Sequence, residues 1–321
     1  MEKRLAVWLL RLFLAGVLGL ILTLVIVAKP LPEPNLPTPT TGITPTFTET
    51  ATPTNTPTAT STPTPTSTPT ETPTPTPTCS LARVEEGVYF SQILQIEQRY
   101  RVYLPPCYDQ IQHPLPVLYL LHGWPYDEAH WDILGVDEAA TAGIEAGTLP
   151  PFIIAMPGAG ERLYVQTSGG DFSFEAQLLR EVIPTIDAIY RTRTDRVGRA
   201  IGGISRGGVW SLEIAFMHAD VFSAVGAHSP ALTLNLAPPV YDPFYLLDRP
   251  DVATLRIYLD AGDVDWARTG TERLHETLAQ RGFDHVFETN PGGHADELWS
   301  TNIPDYLAFY TASWWFTNTT D

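Results

Sequence analysis

The sequence predicts an α/β domain with a mostly parallel, doubly wound sheet. Short apolar runs typical of buried strands alternate with segments of helical spacing. A Gly-rich turn, Gly202 to Gly208, joins one of these runs to a helix-like segment. Polar residues suited to catalysis follow four of the predicted strands: His122, Ser205, Asp265 and His294. The carboxyl ends of parallel strands share one edge of a sheet, so these side chains are expected to meet there.

The first 29 residues are predicted to form a signal-anchor transmembrane segment. Residues 5–28 are apolar apart from Arg11, and about 20 apolar residues suffice to span a bilayer. Basic residues lie at the N-terminal end of this run, so the rest of the chain is expected outside the cytoplasm. No good cleavage site follows Ala28, which favours an anchor over a cleaved signal peptide. Cleavage would instead give a secreted protein.

Residues 30–78 are predicted to be a disordered linker. They are almost entirely Pro and Thr, a composition that cannot build a core and keeps the backbone extended. Fully extended, the linker would reach about 150 Å. It carries no catalytic signal.

Residues 79–321 are long enough for one sizeable catalytic domain. The formal net charge of −17 falls on this part of the chain, because the charges before it cancel. An acidic domain argues against nucleic acid as a partner and against tight docking on anionic lipid. The two cysteines, Cys79 and Cys107, lack metal-ligand spacing with a histidine. Outside the cytoplasm such a pair is expected to form a disulfide.

The domain begins with two strand-like runs between Val84 and Leu104, VYFSQILQI and QRYRVYLP, which predict an antiparallel hairpin at a sheet edge. The run Pro116 to Leu121 is typical of a strand buried on both faces. A helix is predicted over Asp137 to Glu145, and a further buried strand over Phe152 to Met156.

The second half of the domain continues this alternation. Phe174 to Tyr190 has helical spacing, and Pro184 is expected to kink the helix. The other predicted strands are Arg199–Ile204, Phe222–Ala227, Leu255–Leu259 and Val286–Glu288, and the other predicted helices are Val209–His218, Glu272–Arg281 and Pro304–Phe316.

The turn GGISRGG contains the pattern G-x-S-x-G, with Gly203, Ser205 and Gly207 at the required positions. Strand, sharp turn and helix are the context of a nucleophile elbow, which lifts the serine hydroxyl off the sheet. The serine backbone is expected to be strained, with no room for side chains at the glycines. The pentapeptide alone is also compatible with a turn that has no chemistry.

An activated serine needs a base, and the base needs an acid that orients it. His294 is the preferred base, because it follows two glycines in a loop after the last strand. His122, His228 and His285 are more consistent with structural positions. The acid is sought among Asp260, Asp263 and Asp265.

Asp260 ends its strand and is expected to be used in local backbone hydrogen bonds. Asp263 and Asp265 lie beyond Gly262 and would point to the same side of an extended loop, so spacing does not choose between them. The three aspartates lack the remaining ligands of a calcium motif, so no metal is predicted, and no cofactor is expected.

The oxyanion of a tetrahedral intermediate needs two N–H donors. One is predicted to be the N–H of Arg206, directly after Ser205. The other is predicted to be the N–H of Trp124, in the loop where His122 and Gly123 end a strand.

From about Val102 to His294 the domain resembles the esterase D-like esterases of the α/β-hydrolase superfamily, which include feruloyl, acetylxylan and enterochelin esterases. The resemblance rests on RVYLPPCYD, VLYLLHGW, PFIIAMP, FEAQLLREVIPTID, RAIGGISRGG, FSAVGAHSPAL, YLDAGDVDW and GGHADELW. It implies Ser205 as nucleophile, His294 as base and Asp265 as acid. Many relatives carry methionine where this chain has Arg206. Three roles are open for the arginine side chain: it changes the pocket, binds an anionic group or pairs with a surface carboxylate.

The resemblance implies a serine esterase that cleaves carboxylic esters through an acyl-enzyme, and the N-terminal apolar run predicts that it is membrane-anchored and extracytoplasmic. Carbohydrate-linked acyl or feruloyl esters are the expected substrates. One alternative is an acyltransferase of the mycolyl-transferase type, since deacylation by an alcohol uses the same triad. Another alternative is a non-catalytic binding module displayed on a stalk. The presence of all three candidate catalytic residues, Ser205, Asp265 and His294, argues against it.

Overall fold

The computed structural model describes residues 79–315 of the chain. The predicted signal anchor, residues 1–29, and the predicted linker, residues 30–78, lie outside the described residues, as do residues 316–321. The domain boundaries therefore stay predictions. Within residues 79–315, no helix is both long enough and apolar enough to cross a membrane.

The described residues contain one eight-stranded sheet with the strand order β1-β2-β4-β3-β5-β6-β7-β8. The strands are β1 Arg83–Ser91, β2 Ile96–Leu104, β3 Val117–Leu121, β4 Ile153–Pro157, β5 Arg199–Ile204, β6 Ala224–His228, β7 Arg256–Gly262 and β8 Val286–Asn290. Strand β2 runs antiparallel to both its neighbours, β1 and β4, and every other neighbouring pair is parallel. The mostly parallel sheet and the antiparallel hairpin at its edge are thereby confirmed.

Central strands β3, β4, β5 and β6 are buried along their whole length. In β3, Val117, Tyr119 and Leu121 belong to one apolar cluster, whereas Leu118 and Leu120 belong to another. Successive side chains of a strand point to opposite faces, so the two clusters lie on opposite sides of the sheet. The continuous apolar run therefore reflects a strand covered on both faces.

Helices flank the sheet on both sides. They are α1 His130–Ile133, α2 Val136–Glu145, α3 Glu161–Gln166, α4 Phe174–Gln177, α5 Ile183–Ile189, α6 Arg206–Met217, α7 Pro243–Leu246, α8 Arg268–Arg281 and α9 Asp296–Thr311. Helices α1, α3 and α7 have only four to six residues and are missing from the sequence prediction, because so short a helix shows no periodic pattern.

The helix predicted over Phe174 to Tyr190 is present as three joined pieces. Between α4 and α5 lies one π-helical turn, Leu178–Val182. The turn ends just before Pro184, which lies in the first turn of α5, where a missing N–H is tolerated. A wider turn of this kind is a common way for a helix to absorb an irregularity.

The closing helix begins at Asp296 and not at Pro304 as the sequence analysis predicts. That prediction takes the aromatic-rich run from Pro304 to Phe316 as the whole closing helix. In the structure Pro304 lies inside α9, and the acidic residues Asp296 and Glu297 occupy its first turn, where negative charge is favourable. Burial of Trp299 and Tyr306, among others, outweighs the hydrogen bond lost at the proline.

A buried polar network lies beneath the carboxyl edge of the sheet and corrects the prediction for Asp260. Its carboxylate accepts hydrogen bonds from three side chains: His228 at 2.8 Å, Tyr306 at 2.7 Å and Asn290 at 3.3 Å. Asp260 is fully buried, and local backbone groups could not satisfy it as well as these side chains, which tertiary packing brings to it.

A disulfide joins Cys79 to Cys107, which are 28 positions apart in the sequence. In the chain-entropy model, a disulfide that closes a loop of this length stabilises the folded state by about 3–4 kcal/mol. The double variant Cys79→Ser/Cys107→Ser is therefore expected to lower the free energy of unfolding by about that amount. Urea unfolding of the oxidised full-length protein and of the double variant measures the difference, and equal midpoints would contradict the expectation.

Candidate active site

Ser205 lies between β5 and α6 in a conformation that an L-residue rarely adopts, with φ 57° and ψ −113°. Three main-chain hydrogen bonds hold this strained residue. Its N–H donates to the carbonyl oxygen of His228 at 2.9 Å, and its own carbonyl accepts from the N–H of Ala231 at 3.1 Å and from that of Val209 at 3.2 Å. Strain of this kind persists only when the surroundings fix it, and it concentrates at functional sites.

The two glycines around Ser205 are required by close approach of the backbone. A Cβ on Gly203 would lie 2.4 Å from the carbonyl group of Gly207. A Cβ on Gly207 would lie 2.4 Å from the carbonyl oxygen of Leu121, at the end of β3. The G-x-S-x-G pattern is therefore set by packing of the turn against itself and against the neighbouring strand.

Ser205, His294 and Asp265 form one continuous line of hydrogen bonds. The Oγ atom of Ser205 lies 2.9 Å from Nε2 of His294. The Nδ1 atom of His294 lies 2.9 Å and 3.1 Å from the two carboxylate oxygens of Asp265. An ionised carboxylate only accepts, so Nδ1 carries the proton and Nε2 is free to accept the serine hydroxyl.

The three side chains come from loops at the carboxyl edge of the sheet. Ser205 follows β5, Asp265 follows β7, and His294 lies between β8 and α9. Burial acts to raise the pKa of Asp265, but hydrogen bonds from His294, Ser229 and the N–H of Ala267 outweigh it and keep the pKa below its usual value. The carboxylate therefore stays ionised at neutral pH.

The competing aspartates and histidines have other partners. Asp263 accepts a hydrogen bond from the N–H of Gly292 at 2.9 Å, and His228 is fully buried in the Asp260 network. His285 hydrogen-bonds to His275 at 2.7 Å. Burial lowers the pKa of His122 to about 4, so this histidine is neutral at pH 7. Among residues 79–315, no three metal-binding side chains lie close enough to hold an ion.

The proposed oxyanion donors, Trp124 and Arg206, line the same pocket as Ser205 and His294. Gly123 brings the loop after β3 against the nucleophile, because a Cβ there would lie 3.7 Å from Cβ of Ser205. The N–H of Gly123 donates to Nδ1 of His130 at 3.3 Å, and Nε2 of His130 lies 3.1 Å from Asp296. His130 thus anchors the loop that carries Trp124.

His130 and Asp296 are absent from the sequence-based list of site residues. Their contact joins positions 166 residues apart in the chain, and no local sequence pattern predicts such a pair. Trp266 and Trp299 flank His294, with ring centroids at 4.3 Å and 5.0 Å. Trp266, which follows Asp265 in the sequence, thus packs against the candidate base.

The pocket beside Ser205 has a volume of about 520 Å³. Most of the exposed surface of its wall is apolar, although about half of the lining residues have polar side chains. The lining residues besides the candidate catalytic ones are Val165, Gln166, Thr167, Ser168, Ala231, Leu234, Asn235, Leu236 and Trp266. A concave site whose lining surface is mostly apolar is typical of a small-molecule site.

Glu213 lies on α6 behind this pocket and is 1% exposed. Its Oε1 accepts a hydrogen bond from Asn235 at 3.1 Å, and its Oε2 has no partner among the described residues. Burial raises the pKa of Glu213 to about 8, against the opposing effects of Arg206 and Asn235 and with smaller raising effects of Asp242 and Glu175. The folded protein therefore holds this carboxyl protonated at pH 7.

The raised pKa of Glu213 predicts a pH dependence of stability. Its contribution is fully present below the ordinary pKa of 4.5 and is lost as the pH rises through about 8. Glu213→Gln carries no proton to lose, so the melting temperature of the wild type should fall relative to that of the variant across this interval. If the difference in melting temperature between the wild type and the variant stayed the same at every pH, the expected protonation state would be contradicted.

A family model described as "Putative esterase" matches residues 91–310. An endo-1,4-beta-xylanase/feruloyl esterase of Xylanibacter ruminicola is 32% identical over 151 residues, which is 44% of this chain and 21% of that protein. An esterase of Mycobacterium tuberculosis is 28% identical over 241 residues, covering 60% of this chain and 51% of that protein. The chain thus spans about half or less of the length of these curated relatives.

Solved structures with the same fold include a ferulic acid esterase, with a TM-score of 0.66, 25% identity, and coverage of 73% of this chain and 99% of that one. An S-formylglutathione hydrolase from Staphylococcus aureus matches with a TM-score of 0.62 and 21% identity, covering 72% of this chain and 100% of that one. At that identity the second likeness concerns the fold alone.

Proposed function

The chain belongs to this esterase family and has an α/β-hydrolase-like fold, and on that premise we propose that it is a serine carboxylic-ester hydrolase. The observation that carries the proposal is the unbroken hydrogen-bond line from Ser205 Oγ through His294 to the Asp265 carboxylate. Such a line activates a hydroxyl that is otherwise a poor nucleophile.

In the proposed mechanism His294 Nε2 takes the Ser205 proton while Oγ attacks the ester carbonyl carbon. The N–H groups of Trp124 and Arg206 donate to the developing oxyanion. The imidazolium, stabilised by ionised Asp265, then gives its proton to the departing alcohol oxygen, which leaves an acyl-enzyme. Water repeats the sequence with the same base and releases the acid and free Ser205.

The proposed substrates are carbohydrate-linked acyl or feruloyl esters. Feruloyl and ferulic acid esterases are among the proteins that this chain resembles. The pocket supports an aromatic or similarly bulky acyl group, since Trp124 and Trp266 line it together with Ser205 and His294.

A fluorophosphonate probe tests the chemistry and a panel of esters tests the substrate class. The purified full-length protein should be labelled by the probe and should hydrolyse p-nitrophenyl, acetyl-xylan or feruloyl esters. A folded protein that is neither labelled nor active on any of these esters would refute the hydrolase and favour a binding module.

The proposal includes a location outside the cytoplasm, with residues 1–29 as the membrane anchor. Support comes from the basic residues that precede the apolar run and from the Cys79–Cys107 disulfide, a bond typical of oxidising compartments. Protease added to intact spheroplasts of the producing cell should digest the domain. Full protection of the domain, with both thiols reduced, would contradict this location.

A further inference from the structure

The side chain of Arg206 lies at the pocket with only neutral hydrogen-bond partners. Its Nε donates to the carbonyl oxygen of Tyr164 at 2.9 Å, and its Nη2 donates to that of Thr167 at 2.7 Å. Its Nη1 donates to Oδ1 of Asn235 at 3.4 Å. One face of the guanidinium lies over the ring of Trp210, with 4.8 Å between Cζ and the ring centroid.

This charge has no counterion among the described residues. Ion pairs within 4.0 Å are recorded for other arginines but not for Arg206. The carboxyl that acts on it most strongly is Glu213, which burial holds protonated at pH 7. Arg206 therefore does not pair with a surface carboxylate among the described residues.

Two of the guanidinium N–H groups have no protein partner among the described residues. Arginine has five N–H donors in a planar fork, and three of them are used. The described lining of the pocket contains no other lysine or arginine and no carboxylate. A chain with a net charge of −17 thus presents a lone cation beside its candidate nucleophile.

A partly buried cation is costly to keep unless an anion pairs with it. Tethering of the Tyr164–Thr167 wall does not require this charge, because a neutral amide side chain also donates to carbonyl oxygens. The planar fork of arginine is the donor set that matches a carboxylate or a similar anion.

We propose that Arg206 is a specificity-determining residue that binds an anionic group carried by the ester substrate, within the pocket that contains Ser205. The inference rests on the proposed esterase function. The anion belongs either to the acyl part of the ester or to the alcohol part. A charge-assisted hydrogen bond of this kind corresponds to about a 10- to 100-fold gain in kcat/KM over an uncharged analogue.

Matched pairs of esters test the proposal with the full-length protein. For the acyl side, p-nitrophenyl glutarate monoester is compared with p-nitrophenyl pentanoate, which has the same number of acyl carbons and no distal charge. For the alcohol side, 4-acetoxybenzoate is compared with 4-acetoxybenzamide. The wild type should prefer the charged member in at least one pair, by about tenfold or more.

The Arg206→Met variant should reduce that charged-to-neutral ratio of kcat/KM to about one, through KM more than kcat, because uniform binding is lost. Arg206→Lys, which keeps the charge without the fork, should retain part of the preference. Glu213→Gln, neutral like the protonated carboxyl that it replaces, should keep the preference at pH 7. Using the ratio makes each variant its own control for general loss of activity.

An inhibition measurement on the wild type does not depend on whether the variants fold. If the anionic group belongs to the acyl part of the ester, glutarate monoamide, which keeps one carboxylate, should inhibit hydrolysis of the neutral acyl ester more strongly than the uncharged glutaric diamide. Absence of a charge preference in both ester pairs, or a preference that survives Arg206→Met, would overturn the proposal. Hydrolysis of the neutral esters would still support the esterase, whereas no hydrolysis of any ester would refute the proposed function itself.

Discussion

Replacing Ser205 by alanine is expected to lower kcat on any accepted ester by at least about 10,000-fold, because triad members act as a unit. The hydroxyl is the only nucleophilic atom that His294 Nε2 contacts among the described residues, at 2.9 Å. His294→Ala should have a comparable effect, and the double variant should be little worse than either single one. Steady-state kinetics on p-nitrophenyl acetate measures all three.

Ser223→Ala is the matched control for Ser205→Ala. Both serines are 8% exposed, but Ser223 donates to the carbonyl of Arg199 at the opposite end of β5 and touches no triad residue. The control variant should keep near wild-type turnover. A homogeneous, folded Ser205→Ala sample that retains a tenth of the wild-type rate would rule out Ser205 as nucleophile.

Asp265→Asn is expected to fold normally and to lose about 10,000-fold in kcat, as seen when a triad aspartate becomes an amide. The amide can donate to Nδ1 of His294, which stabilises the tautomer that has its proton on Nε2. That tautomer cannot accept the proton of Ser205. Thermal unfolding should show a small change, because the hydrogen bond from the N–H of Ala267 to Asp265 Oδ1, 2.7 Å long, can persist with the amide oxygen.

Asp263→Asn distinguishes the catalytic role from a general effect of this loop. Asp263 lies two positions before Asp265 and accepts from the N–H of Gly292, so its amide should alter the loop slightly and leave most of kcat. If Asp263→Asn lost several orders of magnitude while Asp265→Asn stayed active, the assignment of the acid would be wrong. Comparing the two variants at one pH is sufficient.

Much of the fold could be predicted because its signals are local. The run VLYLL, buried at every position, has the continuous apolar pattern of a central strand covered on both faces. Gly203 and Gly207 mark the turn at Ser205 because no side chain fits at either position. Ser205 and His294 could also be selected without a structure, since each residue follows a predicted strand.

Other features are decided by contacts between distant segments. The closing helix is predicted to begin at Pro304, but packing of Trp299 and Tyr306 extends α9 back to Asp296. Asp260 looks like a strand-end residue with local bonds, but His228 and Tyr306 reach it across the sheet. Local sequence cannot encode these partners, because burial and hydrogen bonding depend on what the rest of the chain brings near.

The sequence by itself determined the mostly parallel α/β sheet, the turn that carries Ser205 and the short set of polar residues at one edge. Spacing could not choose between Asp263 and Asp265, and it left Arg206 with several possible partners. Tertiary structure decided both: Asp265 faces His294 Nδ1, and Arg206 meets two carbonyls and an amide with no carboxylate in ion-pair range. The physical reason is that backbone periodicity is a property of neighbouring residues, whereas a side chain's partners are set by the packing of loops from different strands.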